Sequence, residues 1–151
     1  MISVSDLRKQ VLLEDIGDDY LERLAKLLEL KSLKRGEFLF NEGDDTKGIY
    51  MIRSGKIEIS KLTPDGWKQM LAVLSNGNFF GELSILEKRK HEASAVALEN
   101  TEFFKLSREV FEKMEREDAA LASQVIKKIA LVMSKNLRRM NEKFLNALIN
   151  Y

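Results

Sequence analysis

Five consecutive residues, Phe80-Gly81-Glu82-Leu83-Ser84, have the types and order to hold an anion beside a neutral hydroxyl pair. Gly81 can take backbone angles that a Cβ disfavours, so the chain can turn there and leave successive N–H groups free at the start of a helical turn. Free N–H groups at a helix start attract an anion such as phosphate. Glu82 beside them is a hydrogen-bond acceptor suited to a hydroxyl pair, as on a sugar. A β-turn carrying a surface glutamate has the same local sequence, and these five residues alone leave both readings open.

Other chemistry has few ingredients. The chain contains one histidine, His91, and no cysteine, which removes disulfides, thiolate zinc sites, cysteine nucleophiles and a histidine metal triad. Ser84, His91 and Glu82 are the residues available for nucleophilic catalysis, and nothing in their spacing requires them to meet, so no enzyme is expected. Lys+Arg 25 against Asp+Glu 24 leaves a net charge of +1, so no global field favours nucleic acid or an anionic membrane. No apolar run approaches the ~20 residues of a membrane span, and the N-terminus lacks a signal-peptide pattern. A cytoplasmic protein is expected.

The elements that position the Gly81 stretch follow from apolar periodicity. Leu7, Val11 and Leu12, then Leu21, Leu24, Ala25 and Leu28, recur at helical steps, with Asp18 a suitable N-cap for the second helix. From about Ser32 the period changes. Phe38 and Phe40, Tyr50 and Ile52, Ile57 and Ile59, Met70 and Ala72, and Val96 and Leu98 lie in short β-rich runs separated by glycines, which predicts an antiparallel sandwich or barrel. Thr63-Pro64-Asp65-Gly66 predicts a hairpin joining Lys56–Leu62 to Trp67–Leu74. After a strand at Thr101–Leu106 the chain returns to helix, with a start at Ser107 and a long second run from Asp118 to Tyr151. Ile126, Ala130, Met133, Leu137, Met140, Phe144 and Ala147 form a heptad-like seam on that run. Its first half is expected to pack on the β body and its second half on a partner helix, while Lys127, Lys128, Lys135, Arg138, Arg139 and Lys143 form a solvated face.

The order of these signals resembles the cyclic-nucleotide-binding domain family, which includes bacterial catabolite-activator-type regulators and the regulatory subunits of the cAMP-dependent kinase. The residues that carry the resemblance are Gly36-Glu37-x-Leu39-Phe40-x-Glu42-Gly43-Asp44, Tyr50-x-Ile52-x-x-Gly55-x-Ile57-x-Ile59, Pro64-Asp65-Gly66 and Phe80-Gly81-Glu82-Leu83, between N-terminal helices and a long C-terminal helix. It extends from about Leu7 to Phe144. The fold it implies is mainly β with flanking α: an eight-stranded jelly-roll barrel (double-stranded β-helix). Residues 1–31 are then N-terminal helices, 32–106 the jelly roll with a phosphate-binding cassette at 79–95, and 107–151 the C-terminal helices of one domain.

The resemblance implies that Gly81 and Glu82 hold a ribose 2′-hydroxyl and that Leu83 and Ser84 supply amides to a cyclic phosphate. The family's phosphate arginine, which precedes a small residue, falls here on His91 or Glu92. Neutral imidazole offers one donor and a carboxylate repels phosphate, a loss on the order of several kcal/mol against a bidentate guanidinium. Arg89 and Lys90 are close enough in sequence to substitute, and His91 could charge in mild acid. The expected ligand-binding set is therefore Gly81, Glu82, Leu83, Ser84, Arg89, Lys90, His91, Ala93 and Ser94, with Met140 and Asn141 near a base.

The expected function is a stand-alone sensor that binds cAMP, cGMP or a related anionic ligand and signals through its C-terminal helix. The alternative is a degenerate domain that binds no nucleotide and serves in dimerisation or protein interaction. No cofactor is expected beyond the ligand, and no helix-turn-helix domain follows within the 151 residues. Partners are expected to be a second copy through the C-terminal helix and a protein whose identity the sequence leaves open, with no nucleic acid and no membrane.

Overall fold

Two helices, Val4–Arg8 (α1) and Asp18–Ala25 (α2), lead into eight strands: Glu29–Leu33 (β1), Phe38–Phe40 (β2), Gly48–Ser54 (β3), Lys56–Leu62 (β4), Lys68–Ser75 (β5), Phe79–Phe80 (β6), Ser94–Ala97 (β7) and Thr101–Ser107 (β8). A short helix, Glu82–Glu87 (α3), lies between β6 and β7, and Arg108–Glu117 (α4) and Ala119–Ile149 (α5) close the chain. This computed structural model describes residues 1–149. The strands form two four-stranded antiparallel sheets, in the orders β1-β8-β3-β6 and β2-β7-β4-β5. The jelly roll read from the sequence is the fold of the chain.

β3 explains how the sheets and helices share a core. Ile49 and Met51 join Phe104 and Leu106 of β8 in a cluster with Leu7, Leu24, Phe111, Leu121 and Val125 from the helices. The alternate residues Tyr50 and Ile52 join Phe103, Ile57 and Phe80 in a second cluster inside the barrel. Successive strand residues point to opposite faces, so the run Ile49–Ile52 is apolar throughout because both faces are covered.

The hairpin forms where proline and glycine place it. Gly66 N–H donates to Thr63 O at 2.9 Å and Thr63 N–H to Trp67 O at 2.8 Å, and Gly66 has φ +86°. Ser107 caps α4 as expected, its Oγ accepting from Val110 N–H at 3.2 Å.

Four local expectations are corrected. The first helix stops at Arg8, and residues 9–16 are turns, because Val11 N–H donates to Gly77 O and Gln10 Nε2 to the buried Ile52 carbonyl, both at 2.9 Å. Leu12, Leu13 and Ile16 are buried from those turns. Gly17, not Asp18, is the N-cap of α2, with no side-chain bond. The jelly roll starts at Glu29, not Ser32, since Glu29 already pairs with Lys105. Lys128 is not on a solvated face: it is buried, with Nζ 2.7 Å from Asp15 and 3.4 Å from Glu14. That contact raises the Lys128 pKa and lowers that of Asp15, and it ties α5 to the N-terminal turns.

The proximal part of α5 packs on the body through Leu121, Ala122, Val125 and Ile129, leaving Ile126 half-buried and Ala130 exposed. From Ser134 onward every described residue is exposed.

Candidate functional site

Gly81 joins β6 to α3 with φ +88°, and a Cβ there would lie 2.7 Å from Gly48 O and 3.2 Å from Tyr50 Cδ2. Only glycine fits this turn without displacing β3, and the turn sets Glu82 as the first residue of α3. Leu83 and Ser84 follow in the first helical turn, where backbone N–H groups have no intrahelical acceptor. The Ser84 side chain lies outside the described residues.

Gly81, Glu82 and Leu83 line a cavity of about 340 Å³. Phe40 of β2, Ile59 and Lys61 of β4, Leu71 of β5 and Phe80 of β6 form its apolar wall and one cationic point, while Gly81, Glu82, Leu83 and the loop Arg89–Ala93 close the other side. Of the residues expected from sequence, Gly81, Glu82, Leu83, Arg89, Lys90, His91 and Ala93 line this cavity. Ser94 does not. Its Oγ accepts from Glu42 N–H at 2.9 Å and so staples the loop before β3 to β7. Met140 and Asn141 also lie outside the lining, on the exposed stretch of α5.

Glu82 is half-buried, and burial pushes its carboxyl above the usual carboxylate range. The carboxylate takes a hydrogen bond from its own backbone N–H and has no ion-pair partner among the described residues. Acceptor capacity is therefore left over, facing a cavity.

His91 is held by its backbone. Its N–H donates to Asp44 O at 2.9 Å, its carbonyl accepts from Gly43 N–H at 2.8 Å, and its ring stacks on Phe40 at 3.4 Å between centroids and 5° between planes. Nε2 is buried without a hydrogen-bond partner. Burial lowers the imidazole pKa, Asp44 partly opposes this and Arg108 adds to it, so the site disfavours the charged form that the sequence expectation invoked.

Glu92 is not an uncompensated carboxylate. It is ion-paired in close contact with Arg89 Nη2, and Arg89 Nη1 is 2.9 Å from Glu87. The three cations Lys61, Arg89 and Lys90 in the lining face the two carboxylates Glu82 and Glu92, leaving one net positive charge with His91 neutral.

Phe40, Ile59, Lys61, Leu71, Phe80 and Glu92 line the cavity but lie outside the expected ligand-binding set. Lys61 had a legible signal: it continues the inward alternation of Ile57 and Ile59 on β4. Among the described residues no cluster of His, Cys, Asp and Glu could hold a metal ion, and no helix is long and apolar enough to cross a membrane.

Comparison with known proteins agrees with this geometry. Residues 30–118 match the family model of the cyclic nucleotide-binding domain. The Anaerobic regulatory protein of Bacillus subtilis is 31% identical over 136 residues, which cover 89% of this chain and 56% of that protein. The chain thus spans about half the length of the curated relatives it matches. The Catabolite Activator Protein of Thermus thermophilus superposes with a TM-score of 0.78 at 26% identity, over 89% of this chain and 62% of the other. A cyclic nucleotide-binding domain from Methylobacillus flagellatus gives 0.84 at 20% identity, over 94% and 82%.

Proposed function

The chain belongs to the cyclic nucleotide-binding domain family, and from that premise we propose that it is a regulatory sensor whose cavity takes a cyclic nucleotide or closely related monoanion. One observation carries the reading. The Glu82 carboxylate is half-buried, raised in pKa by burial and without an ion-pair partner among the described residues, yet it lines a cavity large enough for a small ligand. Removing a carboxylate from water without a partner is costly, and a hydroxyl pair donating to it would offset that cost. The single net positive charge of the lining suits the single negative charge of a cyclic phosphodiester.

In this reading Gly81 and Glu82 hold ribose, the first-turn amides of Leu83 and Ser84 together with Arg89 or Lys90 face phosphate, and the apolar side chains of Ile59 and Leu71 on one side and Leu83 on the other take the base. No residue is assigned a catalytic role, and the absence of cysteine suits action in the cytoplasm. Signal output runs through α5. Leu137, Met140, Phe144, Leu145, Leu148 and Ile149 are all exposed, and a second copy of the helix would cover the seam among them.

The Arg89–Glu92 pair favours a second reading, a domain that has lost nucleotide binding and retains only the interaction surface. A thermal-melt titration with cAMP, cGMP and a cyclic dinucleotide up to millimolar separates the two. Ligand at 100 times its dissociation constant adds ~2.7 kcal/mol, which in a domain of this size raises Tm by about 5–10 °C. A saturable rise with one nucleotide supports the sensor. Flat melts with all three refute it.

A further inference from the structure

We infer that Glu92 is a built-in competitor for the ligand's anion, its carboxylate holding the Arg89 guanidinium until phosphate displaces it. The inference rests on the reading of the cavity as an anion site.

Three observations support it. Arg89 and Glu92 both line the cavity, so the cation is already at the ligand's door and already neutralised there. The pair is exchangeable: Arg89 is 57% and Glu92 66% exposed, and an exposed ion pair is worth little net free energy. The loop is fixed around them, because Glu87 ends α3 on one side and His91 is held on the other by two backbone bonds to Gly43 and Asp44 and by the Phe40 ring. Only the two side chains need to move.

Glu87 at 2.9 Å keeps the guanidinium near the mouth when Glu92 lets go. The exchange is then one carboxylate for one phosphate on the same Nη2, with no net change in the number of ion pairs on Arg89. Lys61 and Lys90, which have no carboxylate partner among the described residues, supply the attraction that brings the anion in. Glu92 thus raises the ligand concentration at which the domain responds, by the few-fold that an exposed ion pair contributes.

The test is a double-mutant cycle on the whole chain, read by isothermal titration with cAMP and with cGMP, in wild type, Glu92→Gln, Arg89→Gln and the double variant. Glu92→Gln is expected to bind up to about fivefold tighter, from release of an exposed pair. Arg89→Gln is expected to bind about tenfold weaker, and adding Glu92→Gln to it is expected to recover little. Melts without ligand report folding, and all four should agree closely since the side chains are exposed.

If Glu92→Gln tightens binding equally with and without Arg89, Glu92 acts by repulsion at a distance and the competitor is overturned. If wild type binds and Glu92→Gln changes nothing, the competitor is overturned while the sensor reading stands. If no variant binds either nucleotide at millimolar, the sensor reading fails and the competitor fails with it.

Discussion

Replacing Gly81 with alanine separates the backbone requirement of the site from its side-chain chemistry. The position has φ +88°, and the added Cβ would lie 2.7 Å from the Gly48 carbonyl oxygen. A left-handed backbone costs a residue with a Cβ about 1–2 kcal/mol. Moving β6 away from β3 to relieve the contact adds about 1–3 kcal/mol, as overpacking does in cores. The lower entropy of the unfolded alanine chain offsets about 0.4–1 kcal/mol. The net loss is about 3 kcal/mol, and at ~2–4 °C per kcal/mol for a domain of this size Tm should fall by about 6–12 °C. Gly66→Ala is the control: φ is +86°, almost the same, but no atom lies within 4 Å of its Cβ. It keeps only the backbone cost, about 1 kcal/mol, and should lose about 2–4 °C. Differential scanning calorimetry of both variants without ligand reads the difference directly. Melts that agree within the error of the scan would refute the claim that contact with β3 fixes glycine at 81.

Three further outcomes follow from the site and the helix. Glu82→Gln should melt higher than wild type at pH 7 without ligand, because a carboxyl raised by burial favours folding only while protonated and loses that contribution as pH rises through its folded value. The gap should close below the ordinary glutamate pKa of ~4.3, and a gap constant from pH 4 to 8 would refute the assignment. Glu92→Arg puts a guanidinium where the family resemblance expects one, and should tighten cAMP or cGMP binding by about a hundredfold in titration calorimetry; an unchanged affinity would place the phosphate elsewhere. Among the described residues, removing the chain from Lys135 onward deletes only exposed positions, so the monomer fold should persist while sedimentation shifts from dimer to monomer; an unchanged mass would discard the helix seam as the contact.

What the sequence revealed depended on whether local chemistry or long-range pairing decided the outcome. The hairpin at Thr63–Gly66, the cap at Ser107 and the turn at Gly81 are local, and each lies where its residues point. The start of the barrel is not legible in the sequence because β1 is exposed on both faces along most of its length, so Glu29–Leu33 shows little alternation. Leu7, Val11 and Leu12 share a helical spacing that overextends the first helix, whereas the contacts that stop it come from Gly77 and Ile52 far along the chain. Lys128 read as a surface charge because Asp15, its partner, is 113 residues away. In the site, the cassette side was legible and the opposite wall was not. Phe40, Lys61 and Leu71 come from three different strands that meet at the cavity only once the barrel closes.

The same packing suggests how occupancy of the cavity reaches α5. Glu82 lies in the cavity, whereas Ile85, three residues further along α3, is buried in the same core cluster as Ile49 and Met51 of β3 and Phe111, Met114, Leu121 and Val125 of the C-terminal helices. A short helix with one end in the site and its middle in the core that β3 shares with α4 and α5 cannot shift without repacking that core, since close-packed interiors transmit displacement. Ile85→Val removes one methyl group at a cost of about 1 kcal/mol, which leaves the fold intact while loosening this contact. The chain has no cysteine, so Ser134→Cys gives a single labelling point on the exposed part of α5, off the apolar seam. If the proposed helix seam pairs two copies, spin labels there should report a change in interspin distance on addition of the nucleotide that binds. With Ile85→Val the nucleotide affinity should stay within a few-fold of wild type and the distance change should shrink. Loss of affinity with an intact distance change would mean that Ile85 supports the site and that the signal reaches α5 by another route.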